Sequence, residues 1–542
     1  MNKLKLNTLA ILSGILLSLP WFSHFSGIIL LVALIPLLAL ESHLYENKTK
    51  NRSKGIFKYA YLSFVIWNIL TSYWIYNATL FGAVAAIILN ALFVSLIFWL
   101  FHIIKRTTGP VVGYLSLIFM WTAFEFVYLN AEISWPWLNL GNGFAKDFRL
   151  IQWYEYTGTL GGTIWVLSVN ILLFQLLKNF IQKKKVNRLL NAVTLLIVVL
   201  PVAFSLVRFY TYKETTKPEN IVVLQPNIDP YHEKFSGMTN EEQLQILLDL
   251  ARKNQDTTTD YMVGPETSID NQIWENDIYN NENIIELKKF IKLHPRIKFV
   301  TGLTSFKLYQ QDETPSSTAR KFADAPMYYD VYNSAMQVDT GSLIQIYHKS
   351  KLVVGVEMMP YPKVFKYLNK LTIDLGGTTG SLGTQPRRGV FHSSSPNNKI
   401  SIAPVICYES IYGEYLNDYI KEGANLIFVV TNDGWWGNTP GYKQHLSYSQ
   451  IRAIETRRSV ARSANTGISA FINQKGEIIK ETGWWERTVL KGKINANSKL
   501  TFYVKHGDYL GRISIFLTIL IILYFLADKF NLKIPVLQKL KK

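Results

Sequence analysis

The chain carries one cysteine, Cys407, at the end of the β-rich run Ile400–Cys407. Two other reactive side chains close similar runs: Glu266 in Gly264-Pro-Glu266 and Lys349 in Tyr347-His-Lys349. A thiol becomes a nucleophile when a base removes its proton and a nearby cation steadies the thiolate. Glutamate can be that base in a site dry enough to raise its pKa. Taken singly the three residues say little, because a lone cysteine at a strand end usually packs as a small hydrophobe and a lone Glu or Lys in a loop is usually solvated. His348, His392 and His445 are further candidate bases. No Gly-x-Ser-x-Gly elbow competes, and no His/Cys spacing suggests a metal, so neither metal nor organic cofactor is expected.

Residues 211–508 have the composition of a soluble α/β domain that would position these groups. Strands are expected at Ile221–Gln225, Tyr261–Gly264, Lys298–Leu303, Tyr328–Val338, Leu343–His348, Ile400–Cys407, Asn425–Thr431 and Ile468–Ile472. Helical patterns lie between them at Asn240–Asn254, Glu282–His294, Ser410–Glu422 and Gly441–Ser459. Continuous apolar strands alternating with helices imply a sheet buried on both faces. In such folds chemistry sits where strands end and loops begin, as all three candidates do.

The remainder is far more apolar. The 542 residues are 49% hydrophobic and only 18% charged, with a mean hydropathy of +0.10. Soluble proteins carry about 25% charged residues. Apolar runs fall at Leu6–Phe22, Gly27–Leu40, Ile56–Tyr76, Leu80–His102, Val112–Asn130, Leu160–Leu177, Leu189–Phe209 and Ile513–Ala527. About 20 such residues cross a ~30 Å hydrocarbon layer, so about eight transmembrane helices are expected, in segments 1–210 and 509–542. Lys48, Lys50, Arg52, Lys105, Arg106 and Lys183–Lys185 all follow even-numbered runs, while the loops Ser23–Ser26 and Asn77–Thr79 carry no Lys or Arg. By the positive-inside rule both termini are cytoplasmic and the α/β domain lies outside. Much of the net charge of +18 is thereby a topology signal, and nucleic acid is not an expected partner. The first run reads as a retained anchor, since no small-x-small cleavage site follows it. Trp135, Trp137, Trp153, Tyr154 and Tyr156 in the outer loop read as an interfacial belt, and Glu125, inside the fifth run, as either a functional or a hydrogen-bonded structural glutamate.

An outward-facing domain meets an oxidising space, where an unpaired thiol is a liability. There Glu266, Lys349 and Cys407 resemble, in order and context, the Glu-Lys-Cys triad of the carbon–nitrogen hydrolase (nitrilase) superfamily. The carrying segments are Gly264-Pro-Glu-Thr-Ser268, Tyr347-His-Lys-Ser-Lys-Leu352 and Ile406-Cys-Tyr-Glu-Ser410, extended by Thr431-Asn-Asp-Gly-Trp-Trp-Gly437, His445, Arg452-Ala-Ile-Glu455 and Asn465-Thr-Gly467. Helices flanking such a domain in a seven-plus-one arrangement, with Ser134-Trp-Pro-Trp-Leu-Asn-Leu-Gly141 in the outer loop, resemble the apolipoprotein N-acyltransferases of the bacterial inner membrane. The resemblance implies a multi-pass helical membrane domain plus a nitrilase-like αββα sandwich in the periplasm.

It also implies roles. Cys407 attacks a phospholipid ester and carries the acyl chain as a thioester, and Glu266 is the general base. Lys349 stabilises the oxyanion with the Tyr408 backbone N–H, while Glu357 and Glu409 are supporting acids. The acceptor is the α-amino group of the S-diacylglyceryl-cysteine of an apolipoprotein, and no cofactor takes part. One departure stands out: the family commonly carries Pro-Phe-Gly-Glu before the first supporting acid, whereas Leu352-Val-Val354 and Gly355-Val-Glu357 stand here. The segment Met358–Phe365, continuing through Tyr367 and Leu368, is apolar for an exposed loop and is expected to touch lipid or to lid the acyl site. Trp435 and Trp436 are candidates to line the same pocket, with membrane lipids as neighbours. A tethered amidase that hydrolyses its thioester, and a transporter or lipid-binding module, are the alternatives. Related halves and broken helices would mark a transporter.

Overall fold

The computed structural model describes residues 3–47, 54–234, 237–361, 381–394 and 399–530. The chain divides into two compact units, Met1–Tyr76 with Ala83–Tyr210 and Asp508–Lys542, and Asn77–Gly82 with Thr211–Gly507.

The first unit is helical. Among the described residues seven helices are long and apolar enough to cross a membrane: Lys3–Trp21, Gly27–Glu46, Leu80–Thr108, Pro110–Asn130, Tyr154–Ile181, Arg188–Thr211 and Tyr509–Lys529. The third expected span forms helix Lys54–Ser72, but Lys54, Lys58, Asn68 and Thr71 leave it less apolar than the others. Two buried glutamates inside the unit are paired, as a low-dielectric interior demands of a carboxylate. Glu41 Oε1 lies 2.7 Å from His102 Nδ1 and its Oε2 accepts from Lys105 Nζ at 2.5 Å. Glu125 accepts from Trp121 Nε1 at 3.1 Å, Leu140 N at 2.9 Å and Thr163 Oγ1 at 2.6 Å. The aromatics read as a belt divide: Trp137 and Tyr154 are fully buried, and Trp137 packs on Trp74 with ring centroids 4.9 Å apart. They pack in the core of this unit.

The second unit is an αββα sandwich. Its first sheet takes β1 (Pro218–Gln225), β2 (Tyr261–Val263), β3 (Ile269–Trp274), β4 (Lys298–Leu308), β5 (Arg320–Lys321), β6 (Tyr328–Val338) and β7 (Gln345–His348). The second takes β8 (Phe391–His392), β9 (Ser401–Ile406), β10 (Leu426–Thr431), β11 (Val460–Ala464), β12 (Ala470–Ile472) and β13 (Ile478–Glu481), while β14 (Thr488–Asn495) returns to close the first. The strand orders are β14-β1-β2-β4-β6-β5, with β3 on β4 and β7 on β6, and β13-β12-β11-β10-β9-β8. β1, β2 and β4 run parallel, as do β9, β10 and β11. One core joins the sheets, with Val223, Val263 and Val300 from the first and Val405, Phe428 and Ala461 from the second. A second core covers the outer face of the first sheet with Leu244, Leu247 and Leu248 of helix Asn240–Asn254 and Leu287 and Phe290 of helix Glu282–Leu293. Helices Gly413–Lys421 and Pro440–Thr456 pack against β9 and β12 of the second sheet.

The expected strands are present with shifted ends. β4 runs on to Leu308 and β7 starts at Gln345. β3, β5, β8, β13 and β14 add to the expected set. β3 is interrupted by Asp270, Asn271 and Gln272, whose φ of 40° bends the chain, and β14 places Lys491 and Lys493 on its exposed side, so neither shows an apolar run.

Candidate active site

The sandwich brings three strand ends together. Gly264 and Pro265 lead from β2 to Glu266, Lys349 directly follows β7, and Cys407 directly follows β9. Cys407 is the first residue of the 3-10 turn Cys407–Ile411, not the last of a strand. Its φ is 48°, a left-handed conformation that side-chain-bearing residues rarely adopt and that clusters at functional sites.

Lys349 Nζ donates to Glu266 Oε1 at 3.0 Å and to Glu357 Oε1 at 2.8 Å. Asn333, on β6, donates its Nδ2 to the same two oxygens, at 2.8 and 2.9 Å. The main-chain N–H of Asn432, just after β10, donates to Glu266 Oε2 at 3.0 Å, so this carboxylate links one sheet to the other. Lys234 Nζ lies 3.3 Å from the Glu266 carbonyl oxygen and 2.5 Å from Thr267 Oγ1. Glu266, Lys349 and Cys407 are 6%, 1% and 7% exposed, so the ion pair and thiol share a site shielded from water. Cys407 feels the charges of both Glu266 and Lys349, and Thr431 hydrogen-bonds its side chain.

Protonation states follow from these contacts. Burial pushes the Cys407 thiol well above its ordinary range; the Glu266 charge adds to this and Lys349 opposes it. For Glu266 burial again raises, but Lys349, the Asn333 hydrogen bond and Lys234 outweigh it and hold the carboxyl below its usual range. Burial would lower Lys349, yet Glu266 and Glu357 lift it well above normal. At rest the site therefore holds a carboxylate–ammonium pair beside a protonated thiol. Dryness alone does not raise Glu266, because the cation is closer than the solvent it replaces.

Glu357 completes the lysine's setting. Its Oε2 accepts from Val353 N at 2.8 Å. The turn around it closes with Gly355 N on Met358 O at 2.8 Å and Gly355 at φ 80°, so this sequence forms a tight loop that delivers the carboxylate to Lys349. Glu409 is fully buried, and its hydrogen bonds go to neither Glu266 nor Lys349. It accepts from Tyr347 OH at 2.8 Å, Tyr415 OH at 2.5 Å and Ser350 N at 2.8 Å on one oxygen, and from Ile406 N at 2.9 Å and Tyr419 OH at 3.3 Å on the other. Ser350 follows Lys349 and Ile406 precedes Cys407, so one carboxylate fixes the main chain beside both.

Tyr408 is buried. Met358, Trp435 and Trp436 are half-buried. Trp435 packs edge-on against Tyr231 at 5.3 Å and Trp436 against His445 at 5.4 Å. Asn77 Nδ2 donates to the Trp436 carbonyl at 2.7 Å. Phe365, with Val364, Tyr367 and Leu368, lies outside the described residues.

The histidines take other roles. His348 turns to Glu275 Oε1, 2.6 Å away, and stacks on Tyr332. His392 Nδ1 meets Ser401 Oγ at 2.9 Å. His445 presents Nε2 to the Cys407 carbonyl oxygen and Nδ1 to Asp433. Sequence reasoning missed Asn333, Lys234 and the Asn432 N–H. Asn333 left a signal: a polar residue inside the apolar stretch of β6 must find partners when buried.

The carbon–nitrogen hydrolase family model matches residues 221–499, just over half the chain. The chain belongs to the carbon–nitrogen hydrolase family. Residues 13–172 match a second model, the apolipoprotein N-acyltransferase N-terminal domain. An apolipoprotein N-acyltransferase of Chlorobaculum tepidum is 28% identical over 513 residues, covering 92% of each chain. One from Geobacter metallireducens is 26% identical over 92% of this chain and 91% of its own. One from Thermotoga maritima is 26% identical over 94% and 92%. Among solved structures, Saccharomyces cerevisiae Nit3, a member of branch 10 of the nitrilase superfamily, is similar at 14% identity and a TM-score of 0.36, covering 52% of this chain and 92% of that one. Its long apolar helices mark a membrane-bound protein, and the two family matches with the relatives named above make it an acyltransferase of this family.

Proposed function

We propose that the chain acts as an apolipoprotein N-acyltransferase in which Glu266, Lys349 and Cys407 transfer an acyl chain from a phospholipid to the α-amino group of an S-diacylglyceryl-cysteine. The observation that carries the residue assignment is the buried Glu266–Lys349 pair, 3.0 Å apart, whose charges both act on the Cys407 thiol. In the first step Sγ attacks the ester carbonyl carbon as its proton passes to Glu266. The oxyanion is met by the Lys349 ammonium and the Tyr408 N–H. Collapse breaks the C–O bond, and the lysophospholipid alkoxide leaves with the proton from Glu266. In the second step the acceptor amine attacks the thioester, Glu266 takes its proton, and the departing thiolate recovers it. Glu357 keeps Lys349 charged and in place, and Glu409 fixes the chain on either side of the site.

A ping-pong route suits this arrangement, because one pocket can serve a donor and then an acceptor that are both membrane-bound. The catalytic domain (211–508) is inserted between segments 1–210 and 509–542, and that tether supplies proximity to a lipid ester that exists only at a bilayer. Basic loops on the opposite parity support a periplasmic position for this domain at the inner membrane, with both termini cytoplasmic. Met358, Phe365, Trp435 and Trp436 are assigned to the acyl-binding side.

The test is to incubate the purified protein in phospholipid vesicles with a labelled acyl chain and to locate the label by mass spectrometry after proteolysis. The label should appear on Cys407, be absent from Cys407→Ala, and move to a diacylglyceryl peptide when one is added. A thioester that only hydrolyses, leaving the peptide unmodified, would mean a tethered amidase.

A further inference from the structure

Beneath the nucleophile lies a buried group that the two-step reaction above does not use. The Cys407 carbonyl oxygen accepts from Ser410 Oγ at 2.7 Å and faces His445 Nε2 at 3.1 Å. Nε2 also lies 2.9 Å from Ser410 Oγ, so the ring, Ser410 and the Cys407 carbonyl form one cluster. On the other side of the ring, Nδ1 lies 3.0 Å from Arg462 Nη2 and 2.9 Å from Asp433 Oδ1. Arg462 Nη2 also donates to Asp433 Oδ2 at 2.5 Å, and Thr431 Oγ1 donates to Asp433 Oδ1 at 2.9 Å. Asp433, His445 and Arg462 are all fully buried. Burial and the Arg462 charge push His445 below its ordinary range, against Asp433. Nδ1 faces a donor, Arg462 Nη2, and an acceptor, Asp433 Oδ1; with the Arg462 bond taken as the one made, the ring proton stands on Nε2, facing the Cys407 carbonyl.

The carbonyl of Cys407 and the N–H of Tyr408 belong to one planar peptide unit and point in opposite directions. Gripping the oxygen from below thus sets the direction of the N–H above. We infer that His445, held by Asp433 and Arg462, is a positioning residue for the Tyr408 N–H, which it aims at the oxyanion through the shared Cys407–Tyr408 peptide. The inference rests on the role given to that N–H in the proposed reaction. Two further features fit it. Cys407 sits at φ 48°, a strained conformation that persists only when its surroundings over-determine it. A hydrogen bond accepted by the carbonyl also polarises the same peptide and strengthens the N–H as a donor.

Two reactions of the same thiol test this in the full-length protein in detergent. Acylation of Cys407 by a p-nitrophenyl acyl ester passes through an oxyanion, whereas alkylation by iodoacetamide does not. Loss of an oxyanion donor costs about 10²–10³-fold, so its misalignment in His445→Ala should slow acylation about 10–100-fold, lower kcat with KM for the ester little changed, and leave alkylation within about twofold. His445→Gln, whose terminal amide can occupy the place of Nε2, should restore acylation to within about fivefold of the parent. Ser410→Ala removes the other donor and should shift the same ratio in the same direction by a smaller factor; it decides the matter if His445→Ala does not fold. Equal losses in acylation and alkylation, or acylation unchanged in a folded variant, would overturn the inference. The ester and the alkylating agent are not lipids, so a failure of the phospholipid reading would show separately, as a wild-type enzyme that the ester acylates and phospholipid does not.

Discussion

Glu125 in the helical unit and Glu266 in the sandwich are both buried carboxyl groups, 3% and 6% exposed, and both accept three hydrogen bonds or more. Their partners differ. Glu125 meets an indole N–H, a main-chain N–H and a threonine hydroxyl, all neutral. Glu266 meets the Lys349 ammonium, with Asn333 and the Asn432 N–H around it and the charge of Lys234 nearby. Burial alone therefore does not make a carboxylate reactive. A neutral cradle uses the oxygens as a tether between helix Pro110–Asn130, the turn Leu140–Phe144 and helix Tyr154–Ile181. A cationic cradle holds a carboxylate ionised beside a thiol, the state that the proposed reaction needs of its base.

The largest expected effect comes from removing the base while keeping its shape. General-base catalysis contributes about 10²–10⁴-fold, so Glu266→Gln should lower the rate of acyl-Cys407 formation by about 10³-fold. The protein should remain folded, because Glu357 still pairs with Lys349 at 2.8 Å. The measurement is single-turnover thioester formation followed by mass spectrometry. A loss under tenfold would erase the contrast between the two glutamates.

A smaller effect lies in the pH dependence. Lys349 and the hydrogen bonds hold Glu266 below its usual range despite burial, so it stays a carboxylate through the weakly acidic region. A depressed folded-state pKa gives a stability contribution that is present above the unfolded value of about 4.3 and is lost as pH falls through the folded value. Thioester formation should thus persist as pH is lowered towards the ordinary carboxylate range and fail only below it. An acid limb centred near pH 6 or 7 would place Glu266 in a dry, uncompensated pocket and contradict the ion pair.

Much of this site was legible because its three reactive groups stand at strand ends, and strand ends in buried sheets show as apolar runs that stop. The membrane helices were legible for a related reason, since length and apolarity carry the signal without any knowledge of packing. Edge strands such as β14 were not, because their lysines alternate with apolar residues and mimic loops. The local cage around Glu266 was also hidden. Asn333 and Lys234 reach it from 67 residues away in β6 and from a loop 32 residues upstream, and such convergence exists only after folding. The protonation states were the least readable: sequence suggested a dry glutamate raised in pKa and an ionised sulfur, whereas in the fold Lys349 holds Glu266 low, and burial with the Glu266 charge keeps the thiol protonated. The aromatic loop of the helical unit misled in the opposite sense, since Trp137 and Tyr154 share the composition of a belt and the burial of a core.

The smallest expected effect is at Glu125, and it tests the other side of the contrast. In Glu125→Gln the amide oxygen can keep the two N–H donors, Trp121 Nε1 and Leu140 N, and the new NH₂ would face Thr163. That hydroxyl already accepts from Gly141 N at 3.2 Å. A hydroxyl has two lone pairs, so it can turn and accept from the amide as well, its own O–H passing to the main-chain carbonyl one helical turn earlier, as helical threonines do. The cost should then be about 1 kcal/mol, the difference between a charged and a neutral hydrogen bond, seen as a lowered thermal unfolding midpoint in detergent. Acyl transfer should stay within about threefold of the parent, since partners that are all neutral are those of a tether rather than of a proton carrier. A hundredfold loss of acyl transfer with unchanged unfolding would make Glu125 a functional group, and a neutral cradle would then no longer distinguish a structural glutamate from a working one.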